Sequence, residues 1–80
     1  MLSNDDLEKK LKAIDEVYYV KVEGDGYQYQ LTIVSDLFLE KSKVARQQWV
    51  YKQLKDEITT GRLHAISMKT LTKKEWSNHG

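Results

Sequence analysis

Two strand-like stretches joined by a glycine turn constrain this sequence more than any other feature. The first, Val17–Glu23, is rich in the β-branched and aromatic residues that favour strands. In the second, Tyr27–Val34, apolar residues occupy every other position, which is the period of a strand with one buried face. Gly24-Asp25-Gly26 lies between them, and an Asp-Gly pair in that position is a strong hairpin signal. A hairpin alone is only marginally stable, so the remaining chain has to extend or cover it.

Helices are predicted on both sides of this hairpin. Ser3 is a suitable N-cap for a first helix in which Leu7, Leu11 and Ile14 recur at helical spacing. Ser42 is placed to cap a longer helix over Lys43–Ile58. The expected inward stripe of that helix, at helical spacing, consists of Val44, Gln48, Tyr51, Leu54 and Ile58.

The last third of the chain predicts one more strand and one more helix. Leu63–Lys69 follows Gly61 as a strand, and Thr72 with Glu75 forms a capping box that opens a terminal helix containing Trp76. The order is therefore α-β-β-α-β-α. We expect a single α+β domain over residues 1–80, with two layers: a three-stranded sheet and the longer helices on one of its faces.

Length and composition exclude several classes of protein. The chain has 80 residues and no cysteine, which rules out disulfides, cysteine-based zinc sites and thiol nucleophiles. No apolar run approaches the roughly 20 residues that span a bilayer, and no secretory signal is recognisable at the acidic N-terminus. No catalytic motif is present. These features predict a non-enzymatic cytoplasmic protein without a membrane partner.

Charge is divided unevenly along the chain. Residues 1–40 carry 4 basic and 9 acidic side chains, whereas residues 41–80 carry 9 basic and 3 acidic ones. A positive half can mark an anion-binding surface, but the pattern favours two solvated faces of opposite charge that partly neutralise each other. The net charge of +1 is low for a dedicated nucleic-acid binder. DNA remains an alternative partner through side chains at the start of the second long helix: Lys41, Lys43, Arg46 and Gln47.

Two aromatic side chains are candidates for contact with a partner. His64 shares a strand face with Ile66 and Met68 and is expected to be half buried at the mouth of the strand. Its imidazole either hydrogen-bonds a carbonyl or binds a metal whose other ligands come from a partner, because a site needs three or four. Trp49 is expected near the outer side of its helix, where it either anchors a partner or packs on the C-terminal segment.

Three motifs together resemble the BolA-like family, and in particular its short bacterial branch, IbaG. They are V-S-D-x-F from Val34, R-L-H-A-I-S from Arg62, and Glu75-Trp76. The Gly24-Asp25-Gly26 turn matches the same branch, and the resemblance covers nearly the whole chain. It implies a class II KH-like fold with the element order derived above.

The resemblance also implies a function. BolA-like proteins are partners of monothiol glutaredoxins, and the two proteins together hold a [2Fe-2S] cluster to which glutaredoxin and glutathione supply thiolates. The family's C-terminal ligand histidine falls on His64. We expect the docking face for glutaredoxin to be the surface around His64, including part of the Lys43–Tyr51 helix, with Arg62 and Trp49 as further partner-binding residues. The free chain is expected to be a monomer, with a weak homodimer as the alternative.

One departure from the family pattern concerns the second ligand. Many members carry a histidine or cysteine after the hairpin turn, where this chain has Tyr27-Gln28-Tyr29. Some members are described as DNA-binding transcriptional regulators. Nucleic-acid-binding KH domains use a G-x-x-G loop, and the corresponding connection here, residues 37–42, contains no glycine. Without the second ligand, three outcomes stay open: weaker cluster binding, cluster binding through His64 alone, or an apo complex with glutaredoxin. The missing glycine disfavours RNA binding in the KH mode, and DNA contact through Lys41, Lys43 and Arg46 is the alternative function.

Overall fold

The chain folds into one three-stranded sheet with helices. The computed structural model describes residues 2–25 and 27–79, apart from the His79 side chain. Strands β1 and β2 are antiparallel, β2 and β3 are parallel, and the order across the sheet is β1-β2-β3. The elements in chain order are α1 (Asn4–Lys12), β1 (Val17–Gly24), β2 (Gln28–Ser35), a 3-10 turn (Asp36–Phe38), α2 (Lys43–Gln53), α3 (Lys55–Thr59), β3 (Ala65–Leu71) and α4 (Lys73–His79). The predicted α+β class and the order of helices and strands along the chain are confirmed, with the long helix divided in two and β3 beginning two residues later than expected.

The predicted helix caps are confirmed in their atomic contacts. The Asp6 amide donates to Ser3 Oγ at 3.0 Å, and the Ser3 amide donates back to the Asp6 carboxylate. At α4, the Thr72 amide donates to Glu75 Oε1 at 2.8 Å and the Glu75 amide donates to Thr72 Oγ1 at 3.2 Å. In the described part of the chain, no helix is long and apolar enough to cross a membrane.

The core lies between α1, α2 and one face of the sheet. Strand register places Val22 beside Leu31 and Leu31 beside Met68, so the alternating apolar residues of all three strands share this face. The other face is polar over most of its area, with Trp76 from α4 stacked on Tyr19 at one end. The buried core residues are Leu7, Leu11, Val17, Val22, Tyr29, Leu31, Ile33, Phe38, Val50, Leu54 and Leu63.

Helix α1 also closes the outer edge of β1. Side chains spaced four residues apart, Asn4, Glu8 and Lys12, reach backbone groups of that strand. Asn4 Nδ2 donates to the Gly24 carbonyl at 3.4 Å, and the Val22 amide donates to Glu8 Oε2 at 2.8 Å. Lys12 Nζ donates to the carbonyl of Tyr18. These contacts occupy polar groups that an edge strand otherwise presents to solvent.

The predicted inward stripe of the second long helix is wrong. The helix breaks at Leu54, whose φ of −104° and ψ of 14° separate α2 from α3. Leu54 is buried as expected, but the other four predicted members are exposed. The residues that face the core are Arg46, Val50, Leu54 and Glu57, which are also at helical spacing. Two of these four residues are charged. A prediction from the spacing of apolar residues therefore places the solvent-facing side of the helix toward the core.

Arg46 is an interior tether between α2, β3 and α4. Its residue exposure is 9%. Nε donates to the carbonyl of Lys41 at 3.0 Å, while Nη1 donates to the carbonyl of Thr70 at 3.0 Å and to Glu75 Oε1 at 2.8 Å. The guanidinium also lies 5.9 Å from the ring centroid of Phe38. One side chain thus ties the start of the helix to the last strand and the last helix.

Glu57 is the second buried charge, and its partner is Lys10 of α1. Lys10 Nζ donates to Glu57 Oε1 at 2.7 Å and also contacts Oε2. Burial works against ionisation of this carboxyl, but the Lys10 hydrogen bond and the Arg62 charge outweigh it and lower the pKa of Glu57 below its ordinary 4.5. The ion pair connects α1 to α3 outside the apolar core.

We expect Arg46→Ala to lower the free energy of unfolding by about 2–3 kcal/mol, because it leaves two carbonyls and a carboxylate without their donor. Urea denaturation measures this difference. Lys43→Ala, an exposed position on the same helix, is the control and should change stability by less than about 0.5 kcal/mol. Equal losses in the two variants would contradict the tether.

The Glu57 ion pair predicts a pH-dependent stability difference. Because the folded-state pKa lies below the unfolded one, ionised Glu57 stabilises the fold above 4.5 and this contribution is lost as pH falls through the folded value. Glu57→Gln should therefore cost more stability at pH 7 than at pH 3 in urea denaturation. The exposed neighbour Asp56→Asn is the control, and a Glu57→Gln loss that does not vary with pH contradicts the pairing.

Candidate functional site

The parallel pairing of β2 and β3 forms the candidate site. Parallel strands begin at the same end of a sheet. The register aligns Gln28 with Ala65, which puts the preceding residues, Tyr27 and His64, side by side. Their rings stack with centroids 6.3 Å apart and planes inclined by 27°. Two segments separated by a helical crossover are thus brought together at one end of the sheet.

His64 lies one residue before β3 and is exposed. The expectation that it is half buried on the strand is wrong, because β3 begins later than predicted. The chain is anchored next to it, where Leu63 is buried and its amide donates to the Glu57 carbonyl at 3.0 Å. Among the hydrogen bonds of residues 2–25 and 27–79, none involves the His64 imidazole. The backbone next to His64 is therefore anchored, while His64 itself is exposed.

The turn that carries Tyr27 is defined by Gly24 and Asp25. Gly24 has a φ of +145°, and a Cβ there would lie 2.1 Å from the Gln28 carbonyl oxygen. Asp25 Oδ1 accepts from the amides of Gln28 at 3.1 Å and Tyr27 at 3.0 Å. These two amides, that of Gln28 first, lower the pKa of Asp25. Gly26, the third residue of the predicted turn, lies outside the described residues.

The three residues of the Tyr27-Gln28-Tyr29 segment have different environments. Tyr27 is 71% exposed and stacks on His64. Gln28 is exposed, whereas Tyr29 is buried and its hydroxyl donates to the Leu2 carbonyl at 2.5 Å. Tyr27 is thus the member of the segment that reaches the site. The resemblance pointed to this segment, but only the parallel register identifies which residue faces His64.

The described residues of this chain do not form a complete metal site by themselves. Over residues 2–25 and 27–79, no three His, Cys, Asp or Glu side chains are grouped closely enough to hold an ion. His79, the other histidine, has a side chain outside the described set. What the site presents is a single imidazole with free nitrogens, which suits contribution of one ligand to a metal centre completed by another molecule.

The other two predicted partner residues differ in their exposure. Arg62 is exposed beside the site, and its Nε donates to Thr60 Oγ1 at 3.0 Å. Trp49 is half buried and packs edge-on against Phe38, with ring centroids 5.6 Å apart. Its packing partner is therefore the core and not the C-terminal segment.

The predicted DNA-binding cluster is only partly on the surface. Lys41, Lys43 and Gln47 are exposed at the start of α2. Arg46 is not, because its guanidinium is turned inward toward Thr70 and Glu75. The expectation that Arg46 projects toward phosphate oxygens is wrong, since the guanidinium is needed by interior acceptors. The surface that remains consists of two lysines and one amide.

Comparison with known proteins agrees with the fold and the motifs. The family model described as BolA-like protein matches residues 5–75. The acid stress protein IbaG of Escherichia coli is 36% identical over 95% of this chain and 90% of its own length. The DNA-binding transcriptional regulator BolA of the same organism is 27% identical over 95% of this chain and 81% of its own. A bolA homologue from Coxiella burnetii superposes with a TM-score of 0.83 at 24% identity, covering 96% of this chain and 99% of that one.

We expect Gly24→Ala to lower the free energy of unfolding by about 2–3 kcal/mol, because the new Cβ meets backbone in a conformation reserved for glycine. Gly61→Ala is the matched control. Gly61 also has positive φ, +77°, but nothing lies within 4 Å of its Cβ position, so a loss of about 1 kcal/mol is expected. Thermal denaturation ranks the two variants. Equal losses would show that the close approach at Gly24 is unimportant.

Proposed function

The chain belongs to the BolA-like family, and we propose that it is a non-enzymatic adaptor that binds a monothiol glutaredoxin and shares a [2Fe-2S] cluster with it. His64 supplies an iron ligand in this proposal, and the function lies in cluster assembly or sensing. The observation that carries it is the position of His64, exposed at the end of the sheet on an anchored backbone.

The metal ligands that this chain can supply favour a cluster shared with a partner over a cluster bound by this chain alone. A cluster bound by one protein requires about four ligands, usually thiolates, and this chain has no cysteine. Glutaredoxin and glutathione therefore provide the thiolates. A bound cluster would supply electron-transfer and iron-donor chemistry, with a potential raised where imidazole replaces thiolate. This chain contributes the imidazole and the surface around it.

Tyr27 has a positioning role in this proposal. Its ring lies along one side of the imidazole at 6.3 Å, and the Asp25 hydrogen bonds fix the backbone that carries it. The stacked ring restricts the orientations available to His64 and leaves the opposite side open to a partner. Arg62, two residues earlier in the chain, adds a positive charge to the same end of the sheet.

Mixing the protein with a cluster-loaded monothiol glutaredoxin should change the visible absorption and circular dichroism spectra, because an iron ligand is exchanged. We expect His64→Ala to abolish that spectral change while the variant remains folded. His79→Ala is the matched control and should behave like the wild type. If the spectra of the wild-type mixture do not change, cluster sharing is refuted. If His64→Ala gives the same spectral change as the wild type, His64 is not an iron ligand.

The second candidate function is DNA binding, favoured by the similarity to the DNA-binding transcriptional regulator BolA of Escherichia coli. Lys41, Lys43 and Gln47 are the exposed side chains that would contact phosphates. This function predicts affinity that falls steeply with salt and drops on Lys43→Glu, without any effect on the glutaredoxin spectrum. Chemical-shift mapping separates the candidates, because glutaredoxin should perturb residues near His64 and DNA those near Lys43.

A further inference from the structure

The outer edge of β3, which faces away from β2, keeps open backbone groups along most of its length. Within residues 2–25 and 27–79, β3 pairs with β2 alone. Arg46 crosses this edge near its end, since it runs from α2 on the core face to Glu75 of α4 on the other face and donates to the Thr70 carbonyl on the way. The Thr70 carbonyl therefore points off the edge, and so do the backbone groups of Met68 and Ile66, because alternate residues of a strand direct theirs to the same side. No helix or turn of the described chain hydrogen-bonds to the backbone of Met68 or Ile66.

The side chains of this open stretch are divided between the two faces of the sheet. Ile66 and Met68 lie on the core side and are only half buried there. Ala65, Ser67 and Lys69 lie on the other side and are exposed. Lys69 is the one charged residue of β3, and an edge lysine discourages pairing with most strands. A strand that pairs here must offer apolar side chains on the core side and a small or acidic residue opposite Lys69.

A second copy of β3 meets these requirements in the register centred on Ser67. Antiparallel pairing about a two-fold axis at Ser67 sets Ile66 opposite Met68 of the second copy. These two residues then exchange backbone hydrogen bonds, and their half-buried side chains cover each other. The same register sets Lys69 opposite Ala65, so no like charges face each other, whereas an axis at Lys69 would bring the two lysines together.

The charged side chains around the ends of this contact have both signs. Arg62 lies before His64 at one end of the open edge and is exposed. The other end, next to Thr70, has two acidic and two basic neighbours: Glu40, Lys41, Lys43 and Glu75. Charge at the ends therefore neither drives the pairing nor prevents it, and we expect it to depend little on salt.

An assembly of this kind stops at two copies. Two three-stranded sheets joined at β3 make one six-stranded sheet in which β1 forms both outer edges. Glu8 and Lys12 of α1 occupy backbone groups of that strand. A contact made by the same surface on both copies is closed and leaves no edge for a third. Because a short strand pair buries little surface, the association is weak and depends on concentration.

We propose that two copies of this chain associate through their β3 edges, antiparallel and centred on Ser67. In this dimer His64 lies opposite Thr70 of the second copy, so the β3 side of the candidate site is covered. A partner that needs His64 therefore competes with the second copy. This competition rests on the proposed function, whereas the dimer itself does not.

A single introduced thiol tests the contact, because the chain has no cysteine of its own. Ser67→Cys places two thiols at the axis, where paired strands bring Cα atoms to about 4.5–5.5 Å, within the range of a disulfide. Gln30→Cys is the matched control, since Gln30 is exposed beside Ser67 on the same face but on the central strand. Oxidation followed on non-reducing gels should join Ser67→Cys about tenfold faster or more, because pairing raises the effective concentration of the thiols.

Charge at the axis gives a second readout. Ser67→Lys should abolish the concentration-dependent dimer in sedimentation equilibrium, because two lysines then meet across the strands. Ser67→Glu should do the same, and an equimolar mixture of the two variants should associate again. Gln30→Lys should behave like the wild type. Both positions are exposed, so circular dichroism and thermal denaturation of the variants should match the wild type.

Three outcomes would overturn the dimer. They are equal oxidation rates at the two cysteine positions, association of Ser67→Lys as strong as that of the wild type, and amide shifts that change on dilution outside residues 64–70. A wild-type monomer at the highest concentration, with glutaredoxin binding weakened by Ser67→Lys, would assign the edge to the partner instead. A chain that dimerises but does not bind glutaredoxin would refute only the proposed function.

Discussion

The parallel hydrogen-bonded ladder between β2 and β3 is the constraint on which the rest of the structure depends. An antiparallel return needs only a tight turn, but a parallel strand requires a crossover long enough to come back to the same end of the sheet. The segment from Asp36 to His64 is that crossover, and its helices cover the core face. The ladder also aligns Gln28 with Ala65, so the turn and the end of the crossover meet. The candidate site is a consequence of strand direction.

Two buried charged residues, which lie outside the apolar core, hold this arrangement together. Arg46 connects the crossover helix to the last strand and to α4, and Glu57 connects its final turn to α1. Both are fully partnered, and partnering is what makes burial of a charge tolerable. A small domain has limited apolar surface to bury, and directional contacts of this kind fix where its helices sit. They also keep the backbone before His64 in place, since the Glu57 carbonyl accepts from the Leu63 amide.

Much of the fold follows from the sequence because its signals are local. Neighbouring residues specify each of these elements: the strand-favouring residues on both sides of Gly24, the Ser3 cap, and the Thr72–Glu75 capping box. The prediction of the inward face of the helix is wrong because Arg46 and Glu57 point inward. A prediction made from apolar spacing assigns charged residues to the solvent-facing side. The exposure of His64 was mispredicted for a related reason, since the start of β3 is set by pairing with β2 and not by its own residues. Tyr27 reaches the site through the same long-range pairing.

The contacts of α1 with β1 make the two edges of the sheet unequal in their ability to pair with another strand. Because Asn4, Glu8 and Lys12 occupy polar groups on the outer side of β1, this edge offers a poor template to another strand. Among the strands of residues 2–25 and 27–79, β3 is paired on one side only, and its exposed first residue is next to His64. Any extension of the sheet is thereby confined to the side where the imidazole lies. Helix α1 is remote in sequence from the site, but by covering the β1 edge it leaves the β3 edge as the side on which another strand can pair.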